Sequence, residues 1–459
     1  MAHRSRLTIV ANRLPVKRSD SSRLGWVSSA GGLVTALAPV LKKTGGAWVG
    51  WTGSEADRTG SFEHEGIRIR PVRLAASDVD GFYNHFSNTT IWPLYHDAIR
   101  TPDFDRRHWK PYVDVNQRYA RAAAAIAARR SLVWVHDYHL QLVPGMLRAL
   151  RPDLRIGFFL HIPFPPEELF AWLPWRKQLL EGLLGADVIG FQTYPAVRNF
   201  SRLAREYTSA EGTDTLLTFE GRETRVASFP ISIDADWFGQ TADSRGTLDA
   251  AAEIRARIGE QRRILLAVDR LDYTKGIDSR LAAYELLLKT GRVSADKAVL
   301  MQIAVPSRER VFEYEAMRRT IEQRVGRING QYSEPGRVAV HYFRRNFSRE
   351  DLVAYYRAAD VMLVTPLRDG MNLVAKEYCA CRTDHSGVLV LSEFAGAAQE
   401  LRRALLVNPR DIEGMAEAMH EALTMPAPDA RHRMAILRTQ VRRHDVYEWA
   451  DQFLEALRG

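Results

Sequence analysis

The chain has 459 residues, 46% hydrophobic and 26% charged, with a formal net charge of +9. That length holds two α/β domains with sizeable cores, and the composition excludes disordered, collagen-like and disulfide-framework classes. No apolar run approaches the ~18 residues of a membrane span, and the apolar stretch at 7–11 is too short for a secretory signal, so the expected location is the cytoplasm. Cys379 and Cys381 lie two apart in a stretch of helical composition. They cannot bond to each other there and are too few for a structural zinc, so buried free thiols are expected. The basic residues are scattered rather than clustered, which argues against a nucleic-acid partner and suits an enzyme handling phosphorylated substrates.

Taken along the chain, short apolar runs alternate with helical stretches. Strands are predicted at 7–11, 132–136, 156–160 and 188–191, then at 264–268, 298–303, 338–343, 361–364 and 388–391. Between them the pattern predicts helices at 32–41, 115–128, 176–184, 248–258, 310–324, 349–358 and 412–423. Apolar strands separated by helices indicate doubly wound parallel sheets with both faces covered. A Phe229-Pro230 turn followed by polar sequence marks a boundary, giving domains at 1–240 and 241–432, with a helix at 433–459 folding back toward the first. Two Rossmann-like halves facing across a cleft are expected to bind ligand at the carboxyl ends of their strands.

Residues with chemistry gather after these strands. Arg13 follows the first strand, and Gly31 and Gly32 (in SAGGLV) precede a helix without the full spacing of a dinucleotide fingerprint. The segment 82–97, FYNHFSNTTIWPLYHD, has the composition of a sugar platform, with Tyr83 and Trp92 offering ring faces. His136, Asp137 and His139 form HDYH, which with His161 reads as a hydrogen-bonded pocket rather than a metal site. Asp234-Ala235-Asp236 reads as local turn chemistry. In VDRLDYTK, Arg270 and Lys275 project from a strand end and could neutralise a diphosphate, while Arg308 could join Arg13 in clamping a second phosphate. Finally TPLRDGMNLVAKEY (365–378) is a strand, an Asp-Gly turn and a helix start, which leaves free backbone N–H groups for an anion. Asp369 and Glu377 flank that helix end. Their placement suggests nucleotide-sugar binding rather than a glycosidase pair.

In this order the motifs ANRLPV, SAGGLV, WVGWTG, FSN..IWPLYH, WVHDYHL, GFFLHIPFP, VDRLDYTKG, GRINGQY and TPLRDGMNLVAKEY resemble the trehalose-6-phosphate synthase family over about residues 7 to 425. These are retaining glycosyltransferases of the GT-B fold. The resemblance implies a donor site of Gly31, Gly32, His161, Arg270, Lys275, Asp369, Gly370, Met371, Asn372, Leu373 and Glu377. In it, Arg270 and Lys275 hold the diphosphate, Glu377 the ribose, and Asp369 and His161 the glucose; Arg270, Lys275, His161 and Asp369 are the catalytic set. On the acceptor side it implies Arg13, Tyr83 and Arg308 at the phosphate, with Trp51, Trp92 and Asp137 along the sugar.

The implied reaction is transfer of glucose from an NDP-glucose, by family default UDP-glucose, to glucose 6-phosphate, giving α,α-trehalose 6-phosphate by metal-independent front-face attack. No cofactor is implied. Trehalose biosynthesis and osmoprotection would be served with a separate phosphatase downstream; the base of the donor and the oligomeric state, dimer or tetramer among the options, stay open. Competing readings are a relative using glycerol 3-phosphate or a cyclitol phosphate as acceptor, a catalytically silent sugar-phosphate sensor, and a nicotinamide dehydrogenase, against which the missing fingerprint counts.

Overall fold

The computed structural model describes residues 5–18, 25–28, 34, 37–38, 40–42, 45–55, 57–306 and 312–459. They form two compact units, Met1–Ile231 with Tyr447–Gly459, and Ser232–Val446. The boundary therefore falls at Ile231 and Ser232, against the expected 240 and 241. The terminal segment at 433–459 is two helices, Ala427–Arg443 and Val446–Arg458, broken at His444 and Asp445. The chain passes from the second unit back into the first at Tyr447.

The first unit is built on a ten-stranded sheet. Its parallel centre runs Val188–Phe191, Arg155–Phe159, Ala127–His136, Ser5–Arg13, Ala47–Trp51. Val188–Phe191 is buried at every residue, as a strand covered on both faces must be. The edges depart from the all-parallel expectation: Phe62–His64 is antiparallel to Ile67–Pro71, and Leu216–Phe219 is antiparallel to Arg222–Ser228. Phe219 pairs with Arg222 across Glu220 and Gly221, both at positive φ, which is the geometry of a two-residue hairpin turn. The terminal helix packs on this sheet. The Phe453 ring stacks on Trp134 at 4.2 Å, and the Trp449 indole N–H donates to the Phe229 carbonyl at 3.2 Å.

The second unit holds six parallel strands in the order Val340–Phe343, Ala298–Val305, Arg263–Arg270, Val361–Val364, Val388–Ser392, Leu405–Val407. The first of these in sequence, Arg263–Arg270, lies in the middle, so the chain winds outward on one side and then on the other. The order reverses between Arg263–Arg270 and Val361–Val364. Loops leaving their carboxyl ends diverge to opposite faces and open a crevice there. In the first unit the same reversal occurs at Ser5–Arg13, between Ala127–His136 and Ala47–Trp51.

Candidate active site

In the second unit, Lys275 and Asp369 leave the two strands at the reversal. Asp272 caps the single turn Tyr273–Lys275: one of its oxygens accepts from the Thr274 amide at 3.0 Å and hydroxyl at 2.9 Å, the other from the Tyr314 hydroxyl at 2.9 Å. Gly276 follows at φ +65°, and a Cβ there would lie 2.3 Å from the Thr365 carbonyl oxygen. Only glycine satisfies both demands. The close approach, with the Leu367 amide donating to the Thr274 carbonyl at 2.7 Å, sets the Lys275 turn against the loop after Val364. Lys275 Nζ then donates to Asp369 Oδ2 at 2.6 Å, and Asn372 Nδ2 to the same oxygen at 3.1 Å.

The Asp369 loop is held from behind by the segment after Val388–Ser392. The Asp369 amide donates to the Phe394 carbonyl, the Gly396 amide to the Asp369 carbonyl, and the Ala397 amide to the Met371 carbonyl. Asn372, at φ +76°, starts the helix Leu373–Cys381 but its side chain makes no capping bond. The N–H groups of the first turn and the positive end of the dipole are thus presented beside Lys275 and Asp369. The helix starts two residues later than its composition suggests, because Met371 and Asn372 are spent on the crossing with 394–397. Lys376, buried, pairs with Glu400 at 2.7 Å and ties the helix to the same segment.

Glu377, on the first turns of that helix, accepts from the Tyr356 hydroxyl at 2.8 Å. Burial raises its pKa, opposed by that hydrogen bond and by the charge of Arg349. Arg349 itself stacks over the rings of Trp237 and Phe238 at 3.9 and 4.4 Å. Arg270 ends its strand exposed.

A charged residue that sequence reasoning missed lies beneath this cluster. Arg280 is fully buried and binds Asp269 at 2.6 Å, Gln302 at 2.7 Å, the Thr365 hydroxyl at 3.0 Å and the Lys275 carbonyl at 3.3 Å. One guanidinium therefore fixes both strand ends and the Lys275 turn. The available signal was an arginine on the apolar face of the helix Ile277–Lys289, where a charge persists only if it is paired.

In the first unit, Arg13 leaves its strand with its guanidinium 4.5 Å from the Trp51 ring centroid. The Trp48 indole donates to the Arg13 carbonyl at 3.0 Å and fixes the backbone there. Trp51 meets Tyr83 edge to face at 6.0 Å, Tyr83 stacks on His139 at 5.7 Å, and Tyr138 joins His139 to Trp92. Arg13, Trp51 and Tyr83 are thus brought together. Trp92 is 3% exposed and lies deeper, packed on His96. The aromatic segment proves to be a π-type helix, Val79–Ile91, whose Phe82 and Phe86 fill the core.

Asp137, at φ +74°, accepts from the His161 amide at 3.2 Å, and His136 Nδ1 lies 3.2 Å from His161 Nε2. His136 is fully buried. Burial pushes the His161 pKa down to about 3; burial and the charge of His161 push His136 well below its ordinary value. Both rings are neutral at pH 7 and share a single proton across their contact. Asp234, read as turn chemistry, is a helix cap, accepting from the Trp237 amide at 2.9 Å. Gly31, Gly32 and Arg308 lie outside the described residues. Cys379 and Cys381 are buried free thiols.

The model of glycosyltransferase family 20 matches residues 5–459. A trehalose-6-phosphate synthase of Mycobacterium marinum is 53% identical over 99% of this chain and 94% of its own length. Among solved structures, an α,α-trehalose-phosphate synthase of Burkholderia xenovorans in complex with glucose 6-phosphate aligns with TM-score 0.91 and 37% identity, over 99% of this chain and 100% of its own. The Escherichia coli protein bound with UDP-2-fluoro glucose aligns with TM-score 0.91 and 36% identity, over 99% of both chains.

Proposed function

Since the chain belongs to glycosyltransferase family 20, among the trehalose-6-phosphate synthases of the GT-B fold, we propose that it moves glucose from UDP-glucose to glucose 6-phosphate and forms α,α-trehalose 6-phosphate with UDP. The observation that carries this reading is the cluster at the strand reversal of the second unit. Lys275 is held on Asp369, beside the uncapped start of the helix Leu373–Cys381. A diphosphate leaving group gathers charge as the glycosidic bond breaks, and a fixed cation with oriented N–H groups stabilises it without reorganising; each such donor is worth about 2.7–4 kcal/mol. Arg270 supplies a second cation at the same strand end. Together these take the place a divalent metal would have.

Asp369 accepts from the glucose hydroxyls, and Glu377 reads the ribose. Its desolvated carboxyl, engaged with the Tyr356 hydroxyl, gains a better partner from a ribose diol. On the acceptor side, Arg13 over Trp51, beside Tyr83, suits the phosphate and apolar face of glucose 6-phosphate. The two relatives bound to UDP-2-fluoro glucose and to glucose 6-phosphate support this pairing of ligands.

In the reaction, the anomeric hydroxyl oxygen of the acceptor attacks the anomeric carbon of the donor on the face from which the diphosphate departs. The bond from that carbon to the phosphate oxygen breaks, and the hydroxyl proton passes to the departing oxygen. Configuration is retained and no carboxylate forms a covalent link. Positioning two bound sugars supplies the larger share of the rate, up to about 7–11 kcal/mol. The test is incubation with UDP-, GDP- and ADP-glucose and glucose 6-phosphate, with products identified by mass. A disaccharide phosphate is expected, fastest from UDP-glucose. No such product from any donor would overturn the reading.

A further inference from the structure

Away from both clusters, one face of the first unit gathers two imidazoles and a carboxylate. His85 lies on the π-type helix Val79–Ile91, His108 ends the single turn Arg106–His108, and Asp103 is in the loop just before that turn. One ligand atom from each of the three falls within 4.8 Å of the other two. Their backbones are fixed. The Asp103 amide donates to the Thr89 carbonyl at 2.8 Å and its carbonyl accepts from the Thr90 hydroxyl, which staples the loop one turn beyond His85. At Gly81 a Cβ would lie 2.7 Å from the Pro111 ring, so the absence of a side chain lets the helix cross close to the start of Trp109–Ile126. That crossing lays His85 on His108 with ring centroids 4.2 Å apart and planes 5° apart.

We propose that His85, Asp103 and His108 form a site for one zinc ion or a similar borderline divalent cation. Two imidazoles and a carboxylate are the donor set of zinc, cobalt and nickel rather than of magnesium or calcium. With metal–ligand bonds of about 2.0–2.1 Å, tetrahedral donors stand roughly 3.3 Å apart. The side-chain tips must therefore draw in by roughly 1.5 Å while the stacked rings tilt, which rotation about their own bonds provides. A further oxygen is close: Asp80 Oδ1 is 3.5 Å from His85 Nε2 and Asp105 Oδ2 is 3.8 Å from His108 Nε2. Asp105 also holds Arg107, at 2.8 Å from its Nε, so Asp80 is the readier fourth ligand. Burial and the facing His85 hold the His108 pKa down, with Arg107 adding to this and Asp105 and Asp103 opposing it.

A bound ion would tie the helix that carries Tyr83 to the loop and helix beside it. The test reads metal directly rather than activity. Metal-free protein is titrated with cobalt(II), followed by visible absorption, and then with zinc by calorimetry. One equivalent with a tetrahedral nitrogen–oxygen spectrum is expected. His85→Ala, Asp103→Ala and His108→Ala should each weaken it at least about tenfold, with circular dichroism unchanged; His85→Gln replaces any variant that loses its fold. Absence of stoichiometric binding would overturn the proposal, as would binding that persists in the double variant H85A/H108A.

Discussion

Gly276→Ala isolates the close approach that sets Lys275 in place. Two costs are expected. At φ +65° an L-residue pays about 1–2 kcal/mol in backbone strain. The new Cβ would also lie 2.3 Å from the Thr365 carbonyl oxygen, where ordinary contact begins near 3.4 Å. Thr365 cannot yield freely, because its hydroxyl is bound to the buried Arg280. Relieving such an overlap costs about 1–3 kcal/mol. Gly291 provides the control: it lies in the same unit at φ +67°, and a Cβ added there would meet nothing within 4 Å. Gly291→Ala therefore carries the backbone cost alone. Urea denaturation should find G276A less stable than G291A by about 1–3 kcal/mol. Steady-state kinetics should find kcat/KM reduced at least about tenfold in G276A, about 1.4 kcal/mol, and near normal in G291A. Equal stabilities of the two variants, or full activity of G276A, would refute the argument that this contact positions Lys275.

Arg270→Ala should lower turnover by at least about a hundredfold through lost stabilisation of the leaving diphosphate, with near-normal unfolding; near-normal turnover would contradict charge neutralisation by this residue. For the part-buried pair at 2.6 Å, Lys275→Met alone and Asp369→Asn alone should each cost up to about 3 kcal/mol, while the double variant K275M/D369N recovers part of that loss; strict additivity in denaturation would show that the pair is not coupled. Acid should weaken the first unit through His136 and His161. Both have folded pKa values below the ordinary 6.5, so the unfolded chain binds protons that the fold refuses. Their contribution is complete above pH 6.5 and falls as pH drops below it, that of His161 until about pH 3, by up to about 1.4 kcal/mol per pH unit for each ring. Denaturation midpoints at pH 7, 6 and 5 should decline more steeply in the parent than in His136→Asn, and parallel declines would exclude the histidine pair as the cause.

The parts of the molecule legible in the sequence are those set by local pattern. The strand Val361–Val364 and the helix Arg349–Ala358 follow from apolar runs and a Ser348–Asp351 capping box, so their limits are those expected. The helix after Asp369 begins late because residues 394–397, distant in sequence, take up the Met371 carbonyl. The aromatic segment beginning at Phe82 misleads for another reason. A π-type helix follows neither the 3.6 nor the 2.0 period, so no pattern in the sequence separates Phe82 and Phe86, which fill the core, from Tyr83, which faces Trp51. Arg280 carries only the weak local signal of an arginine on an apolar helix face, and its partners cannot be read there: Asp269, Gln302 and Thr365 come from three different strands or strand ends.

The central claim is that fixed protein cations, rather than a metal, carry a retaining transfer between two sugars. Chelator-treated protein given UDP-glucose labelled with carbon-13 at its anomeric position, together with glucose 6-phosphate, tests it by nuclear magnetic resonance. The account predicts an α signal in the disaccharide phosphate at first appearance, one UDP per product, and the same rate with or without chelator. A β-linked first product, or transfer abolished by chelator and restored by magnesium, would contradict it.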